Sequence, residues 1–319
     1  MTSEFILQKK VYIVAGLPRS GSTLLMNILG QNQNFHVTPT SGIIDVILHI
    51  RTSWNSNPAF LAMDRGLRES RQISVMRAVL QGYFSDTSSP VCFDKNRTWL
   101  EYLETLAVIL GGREHVKVLV TVRDLRDVLA SFEKRVRDTS ALAPVPMEIS
   151  DPLRFKTATQ RIQWFIDNNQ PVGRAYNAIR DAVTRGWRDQ MHFIEYNDLT
   201  GDPQKTIERI YQFLGEPPAK HDFNHVEQIT SEDDLFHGFR DLHTIRHKVE
   251  PQEPSWAKVF DQTVQSTPMW KEIEKLSRFW RAYIKSAKSE LPGDLPSASE
   301  DGISTVGAAS EGIGERAKS

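Results

Sequence analysis

The stretch Gly16-Leu17-Pro18-Arg19-Ser20-Gly21-Ser22-Thr23 decides the fold of this chain, because it is one residue away from a known phosphate-binding loop. A Walker A loop has the pattern G-x-x-x-x-G-K-[ST], and the lysine position is Ser22 here. Two glycines, a run of backbone N–H groups and a helix N-terminus still suit an anion. Since the lysine that reaches the β- and γ-phosphates is missing and Arg19 supplies a cation instead, the loop predicts a phosphate-bearing nucleotide other than ATP.

The segments on either side of this loop give it structural meaning. The apolar, β-branched run Val11–Ala15 precedes it and predicts a buried parallel strand. The run Leu24–Leu29 follows it, has good helix propensity and ends at Gly30. Strand, glycine-rich turn and helix together form the context in which such a loop binds a ligand.

Composition sets limits on the class of protein. The chain has 319 residues and a formal net charge of −1, so general binding to nucleic acid or to a membrane surface is not expected. Its single cysteine, Cys92, cannot form an internal disulfide, and no Cys/His cluster has zinc-ligand spacing. We see no signal-peptide pattern and no uninterrupted apolar run long enough to span a bilayer, which predicts a cytoplasmic location.

Further along the chain, strands alternate with helices, which predicts an α/β fold with a parallel sheet covered on both faces. Ligands of such sheets bind beyond the carboxyl ends of the strands. Four polar side chains stand at predicted strand ends: Arg19, Lys95, Arg123 and Tyr196. Three cations at three strand ends would suit a polyanionic nucleotide. The sequence therefore predicts that these residues line one site.

At this point the chain resembles the sulfotransferases that use 3′-phosphoadenosine 5′-phosphosulfate (PAPS). Their 5′-phosphosulfate loop lacks a true Walker lysine and is matched by Pro18–Thr23. Their 3′-phosphate motif has an arginine at a strand end and a serine eight residues later, matched by Arg123 and Ser131. A late strand ending in tyrosine is matched at Tyr196, and Lys95 makes the chain look closer to the tyrosylprotein and bacterial branches.

The resemblance implies a P-loop-containing sulfotransferase-like fold, with a sulfotransferase domain over residues 1–285. Residues 286–319 are rich in Ser, Gly, Ala and acidic residues and predict a disordered tail. The implied reaction moves a sulfuryl group from PAPS to a hydroxyl or amine and requires no metal. Arg19 and Lys95 are the implied catalytic cations. The implied nucleotide-binding residues are Arg19, Ser20, Gly21, Ser22, Thr23, Arg123, Ser131, Tyr196 and Lys248.

The general base is the weak point of the match. Tyrosylprotein sulfotransferases carry a glutamate base after the first helix, and Thr40 occupies that place here. Threonine cannot act as a general base at neutral pH, so peptide-tyrosine specificity is in doubt. The candidate bases are Asp45 and His49, four residues apart on the next helix, and His36 before it.

Two other functions stay open from the sequence. An atypical P-loop kinase or NTPase is disfavoured by Ser22 and by the arginine that ends Val116–Val122 where a Walker B aspartate is expected. A nucleotide-binding protein without catalysis is kept open by the missing glutamate. The partners we expect are the donor nucleotide and a small-molecule, sugar or peptide acceptor, with no nucleic acid and no membrane span; a homodimer is left open.

Overall fold

The computed structural model of the chain describes residues 7–285, and the tail predicted for 286–319 lies outside this range. Within it, five strands form one sheet in the order β2-β3-β1-β4-β5, and every neighbouring pair is parallel. The strands are β1 (Lys10–Gly16), β2 (Phe35–Thr40), β3 (Val91–Lys95), β4 (Val118–Val122) and β5 (Met191–Glu195). The predicted parallel α/β sheet is confirmed.

Helices connect successive strands and continue past the last one. They are α1 (Ser22–Leu29), α2 (Ile43–Ser56), α3 (Pro58–Leu61), α4 (Arg65–Tyr83), α5 (Leu103–Leu110), α6 (Leu125–Ser140), α7 (Pro146–Ser150), α8 (Pro152–Phe155), α9 (Ala158–Ile166), α10 (Pro171–Thr184), α11 (Tyr196–Gly201), α12 (Pro203–Leu214), α13 (Trp256–Val259), α14 (Gln262–Gln265) and α15 (Pro268–Lys285). Short 3₁₀ turns cover Arg97–Tyr102, Arg113–His115, Arg188–Gln190 and Asp234–His237.

The sheet is buried on both faces, which explains why its strands are almost continuously apolar. Along β1, Val11, Ile13 and Ala15 join one hydrophobic core, whereas Tyr12 and Val14 join the core on the opposite face. This alternation follows from the two-residue period of a strand. With both faces covered, the exposed part of the sheet is its carboxyl edge, where β1, β3 and β4 end beside one another.

Helix capping explains where the structure departs from the predicted elements. Residues 58–84 are charged and amphipathic, and their sequence predicts helix throughout, but the structure has two helices there, α3 and α4. Asp64 is the N-cap of the second helix and accepts a hydrogen bond from Leu67 N at 2.9 Å. The sequence of residues 153–185 predicts a long helical stretch with a kink or break at Pro171; the structure has three helices there, and the third, α10, begins at Pro171. One of its breaks is Thr157, which forms a capping box with Gln160. Tyr196 was predicted as the last strand residue and is the first residue of α11.

A buried ion pair fixes α6 against α9. The Glu133 carboxylate accepts hydrogen bonds from Arg161 Nε and Nη2, both at 2.7 Å, and from Arg137 Nε at 2.7 Å. Glu133 is buried, so its charge requires these partners. This bidentate contact holds the helix that carries Ser131.

Within residues 7–285, no helix combines the length and apolarity needed to cross a bilayer. The cytoplasmic location and the homodimer stay predictions.

Candidate active site

The loop between β1 and α1 makes two close approaches that require glycine. Gly16 has φ +128°, and a Cβ there would lie 2.1 Å from the Thr121 carbonyl oxygen on β4. Gly21 has φ +90°, caps α1 without a side-chain hydrogen bond, and a Cβ there would lie 2.8 Å from the Tyr196 ring. The first N–H groups of α1 therefore lack a side-chain cap and carry the partial positive charge of the helix N-terminus.

Arg19 links this loop to α6. Its backbone φ is +58°, which is uncommon for a residue with a side chain. Its Nε donates a hydrogen bond to Ser131 Oγ at 2.9 Å, so the two stretches that carried the resemblance are in direct contact. Burial, followed by the nearby guanidinium groups of Arg135 and Arg123, lowers the pKa of Arg19 to about 10.

Arg123 lies at the end of β4 and has unused hydrogen-bonding capacity. Its guanidinium lies 4.2 Å from the centroid of the Tyr196 ring, and its Nη1 donates to the Arg19 carbonyl at 3.2 Å. Its Nε is buried, and within the described residues it has no hydrogen-bond acceptor. A buried N–H of a cation without an acceptor fits an anionic ligand such as a phosphate.

Lys95 lies at the end of β3 in a buried ion pair with Glu232. Lys95 Nζ donates to Glu232 Oε1 at 2.7 Å and lies 3.4 Å from Thr23 Oγ1, while Thr40 N donates to the same carboxylate oxygen at 2.8 Å. Burial alone would raise the pKa of Glu232, but the Lys95 charge and these hydrogen bonds outweigh it and lower the pKa to about 2. For Lys95, burial outweighs the attraction of Glu232 and lowers the pKa.

Glu232 belongs to residues 228–255, which we call the late segment; sequence reasoning took Lys248 from this segment and missed Glu232, Asp234, His237 and His243. Asn27 on α1 holds its start, because Asn27 Oδ1 accepts from Ile229 N at 2.6 Å and Asn27 Nδ2 donates to Thr230 Oγ1 at 2.9 Å. The late segment has little regular structure, so hydrophobic periodicity gives no sign of its position. The one available signal was its density of acidic and histidine residues.

Two histidines of the late segment lie beside Glu232. Glu232 Oε2 is 3.5 Å from His243 Nδ1 and 3.6 Å from His237 Nε2. His243 is also held by Asp234, whose Oδ1 lies 2.6 Å from His243 Nδ1 and whose Oδ2 accepts from His243 N at 2.9 Å. Burial and the Lys95 charge lower the pKa of His243, although Asp234 and Glu232 oppose this.

The ligand atoms of Glu232, His237 and His243 all lie within 4.8 Å of one another, which is compact enough to hold a metal ion. A cation at that point would compete with the Lys95 ammonium, which already donates to the Glu232 carboxylate. Because this carboxylate has a positive partner, the cluster is satisfied without an ion, and we assign it no metal.

These residues surround one cavity of about 740 Å³ at the carboxyl edge of the sheet. Its volume falls in the range of ligand sites in proteins. The P-loop, Lys95, Arg123, Ser131 and Tyr196 line it, and so do His237 and His243. Five further basic residues also line the cavity: Arg97, Lys134, Arg135, Arg246 and Lys248. The cavity is therefore strongly cationic, although the whole chain is nearly neutral.

The structure brings most of the predicted site residues together, but not all. Arg19, Gly21, Ser22, Thr23, Lys95, Arg123, Ser131, Tyr196 and Lys248 line the cavity. Ser20 lies beneath the loop, where its hydroxyl is buried 2.7 Å from Thr121 Oγ1. Asp45 and His49 are exposed on α2 and are not among the cavity-lining residues of the described chain, and the same holds for His36, whose ring packs against Phe84.

A comparison with known families fits this geometry. The model of the sulfotransferase domain family matches residues 9–235, which is more than two thirds of the chain. The chain belongs to this family. Glu232 and Asp234 of this sulfotransferase-family chain lie inside the matched range, whereas His237 and His243 lie beyond it. The family match confirms the resemblance seen in the sequence, and with the parallel sheet it confirms the predicted P-loop-containing sulfotransferase fold. The family also implies PAPS as co-substrate.

Individual relatives are distant. The chain is 28% identical to the 3-beta-hydroxysteroid sulfotransferase of Cavia porcellus over 102 residues, 31% of each protein. It is 28% identical to carbohydrate sulfotransferase 1 of Mus musculus over 153 residues, 46% of this chain and 34% of that one. The matched segment thus spans about a third of each curated relative's length. Family and relatives support sulfuryl transfer as the reaction class and leave the acceptor unspecified.

Among solved structures, the sulfotransferase domain of the Synechococcus PCC 7002 olefin synthase is similar over 88% of this chain and 98% of that one. Its TM-score is 0.52 and the sequence identity is 15%. At this identity the likeness concerns the fold, and it agrees with the parallel sheet and flanking helices described above.

Proposed function

We propose that the chain is a sulfotransferase that moves a sulfuryl group from PAPS to a hydroxyl or amine acceptor, and that it does so without a metal ion. The observation that carries the proposal is the presence, in one cavity, of two groups of hydrogen-bond donors that suit an anion. The first is the uncapped N-terminus of α1 with Ser22, Thr23 and Lys95 beside it. The second is Arg123, whose buried Nε has no acceptor among the described residues, with Ser131 close by.

The two centres suit the two ends of this donor. The N–H groups of α1 and the hydroxyls of Ser22 and Thr23 would bind the 5′-phosphate, as helix N-termini bind anions in other proteins. Arg123 and Ser131 would bind the 3′-phosphate, the group that distinguishes this nucleotide from ADP. Arg19 contacts Ser131 and belongs to the loop, so it would join the two centres.

Sulfuryl transfer needs positioning and charge stabilisation, like phosphoryl transfer. The acceptor atom forms a bond to sulfur while the bond from sulfur to the 5′-phosphate oxygen breaks, and that oxygen keeps the electron pair. Lys95 lies beside Thr23 and would stabilise the charge that develops on the leaving oxygen. Arg19 would add a second positive charge, so the proposal does not require a metal.

Titration calorimetry with 3′-phosphoadenosine 5′-phosphate and with ADP tests donor recognition. We expect the first ligand to bind in EDTA and to bind at least ten times more tightly than ADP, because in this proposal Arg123 and Ser131 bind the 3′-phosphate that ADP lacks. Equal affinities, or binding that requires magnesium, would instead support a nucleotide-triphosphate enzyme.

Lys95→Met tests catalysis with a side chain of similar length. We expect release of 3′-phosphoadenosine 5′-phosphate from the donor to slow by two orders of magnitude or more, while affinity for that product changes little. Lys205→Ala, an exposed lysine on α12, is the matched control and keeps the original rate. An unchanged rate in Lys95→Met would remove Lys95 from the mechanism.

A further inference from the structure

A sulfotransferase must take a proton from its acceptor, and the residue expected for this task is absent. Thr40 occupies the place of the glutamate, and the structure puts another carboxylate against it. Glu232 accepts a hydrogen bond from Thr40 N at 2.8 Å, although 192 residues separate the two in sequence. The late segment therefore places acid–base groups beside Thr40, the position at which the expected glutamate base is missing.

Glu232 itself is badly placed to receive the proton. Its Oε1 accepts from both Lys95 and Thr40, and Glu232 is not among the cavity-lining residues of the described chain. Its lowered pKa of about 2 also makes it a weak base at neutral pH. Its role in the geometry is to hold Lys95 on one side and to face the two histidines on the other.

His243 has the geometry that Glu232 lacks. It lines the cavity, and its Nδ1 is bound to Asp234 Oδ1 at 2.6 Å. This hydrogen bond places the ring proton on Nδ1 and leaves the Nε2 lone pair for the cavity. The second contact, from His243 N to Asp234 Oδ2, fixes the ring relative to the backbone. A histidine oriented by a carboxylate is the usual arrangement of a general base.

The position of His243 relative to Lys95 suits the same role. Both side chains flank the Glu232 carboxylate, with Lys95 Nζ at 2.7 Å from Oε1 and His243 Nδ1 at 3.5 Å from Oε2. Lys95 is proposed to stabilise the leaving oxygen. Because only the Glu232 carboxylate separates His243 from Lys95, His243 lies close to the proposed reacting centre. His237 is the other histidine of this group, but its ring faces Glu232 only at 3.6 Å and is more exposed.

We propose that His243 is the general base of the transfer, with Asp234 as the residue that positions it. This inference rests on the proposed function. The acceptor oxygen or nitrogen bonds to sulfur, its proton passes to His243 Nε2, and the sulfur–oxygen bond to the 5′-phosphate breaks with its electrons on the phosphate. The imidazolium that forms is stabilised by Asp234, and it returns the proton to water after product release.

Four titratable or charged groups face His243: Lys95, Glu232, Asp234 and His237. The net effect of burial and of Lys95 lowers the pKa of His243 below its usual value, so the ring is neutral and able to accept a proton at pH 7. The rate should therefore rise with pH on a limb below about 6.5 and level off above it.

The test uses the full chain, labelled PAPS and a fixed acceptor pool of water, phenol, tyrosine amide and glucose, with release of 3′-phosphoadenosine 5′-phosphate as the readout. We expect His243→Ala to slow release by about 100-fold or more, the usual contribution of general base catalysis. Added imidazole should restore a large part of the rate, because it can enter the space left by the ring. Calorimetry should show that product affinity is unchanged.

His225→Ala is the matched control. His225 also pairs with an aspartate, since its Nδ1 lies 3.2 Å from Asp222 Oδ2, but both side chains are exposed and lie outside the cavity lining of the described chain. It should keep the original rate. A normal rate in His243→Ala, or a loss that imidazole does not restore, would overturn the assignment, and a loss confined to His237→Ala would move the role to that residue.

Asp234→Asn separates a positioning role from a structural one. The amide removes a negative charge that favours the imidazolium, so the pKa of His243 should fall further and the acid limb should move to lower pH, with a slower plateau. A slower rate with an unmoved limb would contradict the role given to Asp234. If the unmodified chain binds 3′-phosphoadenosine 5′-phosphate no better than ADP, the proposed function fails; if it binds and reacts but His243→Ala is normal, only the base assignment fails.

Discussion

The Lys95–Glu232 ion pair makes a quantitative prediction about stability. Both side chains are almost fully buried, at 7% and 8% exposure, so little solvent screening reduces the interaction. The pKa of Glu232 falls from 4.5 to about 2, and a shift of this size corresponds to about 3 kcal/mol. Glu232→Gln should therefore lower the free energy of unfolding by about 3 kcal/mol at pH 7, which agrees with the cost of breaking other buried ion pairs.

The sign of the pH dependence follows from the lowered pKa. A carboxylate of this kind stabilises the folded chain above its unfolded pKa of 4.5, and the contribution is lost as the pH falls toward 2. Urea denaturation of the original chain and of Glu232→Gln should give a difference of about 3 kcal/mol at pH 7 and about 2 kcal/mol at pH 3.5.

A double-mutant cycle completes the experiment. Lys95→Met combined with Glu232→Gln leaves no uncompensated charge, so the double variant should be more stable than the sum of the two single losses predicts. A Glu232→Gln variant within 0.5 kcal/mol of the original chain (roughly the limit of a surface change) would refute the reasoning, and so would strictly additive losses.

Three further outcomes follow from the described geometry. Arg123→Ala should lower the affinity for 3′-phosphoadenosine 5′-phosphate by about 10- to 100-fold in calorimetry. The affinity for adenosine 5′-phosphosulfate, which has no 3′-phosphate, should stay nearly the same, and Arg65→Ala, at an exposed arginine, is the control. Arg19→Gly should keep the free energy of unfolding within about 1 kcal/mol, because glycine relieves the backbone strain at φ +58° and this offsets the lost hydrogen bond to Ser131. The same variant should bind 3′-phosphoadenosine 5′-phosphate less tightly, and a stable variant with normal affinity would contradict this. Burial raises the pKa of Asp94 to about 6, so ionisation of this carboxyl destabilises the fold as the pH rises from 3.8 through 6. In urea denaturation, Asp94→Asn should therefore raise the free energy of unfolding by up to about 3 kcal/mol at pH 8 and by almost nothing at pH 4.

The donor half of the site was predictable because it depends on local sequence. Glycines at fixed spacing, a β-branched strand and cations after three of the strands are visible in the chain, and a parallel sheet brings its strand ends to one edge. Arg19, Lys95, Arg123 and Tyr196 do line one cavity. The bond between Arg19 and Ser131 was not predicted, because it depends on how α6 packs against the loop.

The acid–base residues of the site were not predictable, because their positions depend on long-range contacts rather than on local sequence. Asp45 and His49 were chosen because they are close to the P-loop in sequence, but α2 leaves both exposed. His243 reaches the cavity, and Glu232 reaches Lys95, through an irregular segment about 200 residues further along, and no period or short motif encodes such a long-range contact. Helix breaks at Asp64 and Thr157 were missed because their capping bonds compete with otherwise continuous helical patterns.

The attachment of the late segment to α1 has a consequence for how acceptor choice could change. Asn27 holds the start of the segment through Ile229 and Thr230, whereas Arg19, Lys95 and Arg123, which are proposed to bind the donor, stand at the ends of strands or just after them. In the proposed mechanism, most of the donor contacts and the general base therefore come from separate stretches of sequence that meet at one cavity. Exchange of the late segment should change acceptor specificity while the contacts proposed for the P-loop, Arg123 and Ser131 stay intact, provided that Glu232, which holds Lys95, and Lys248, which lines the cavity, are kept.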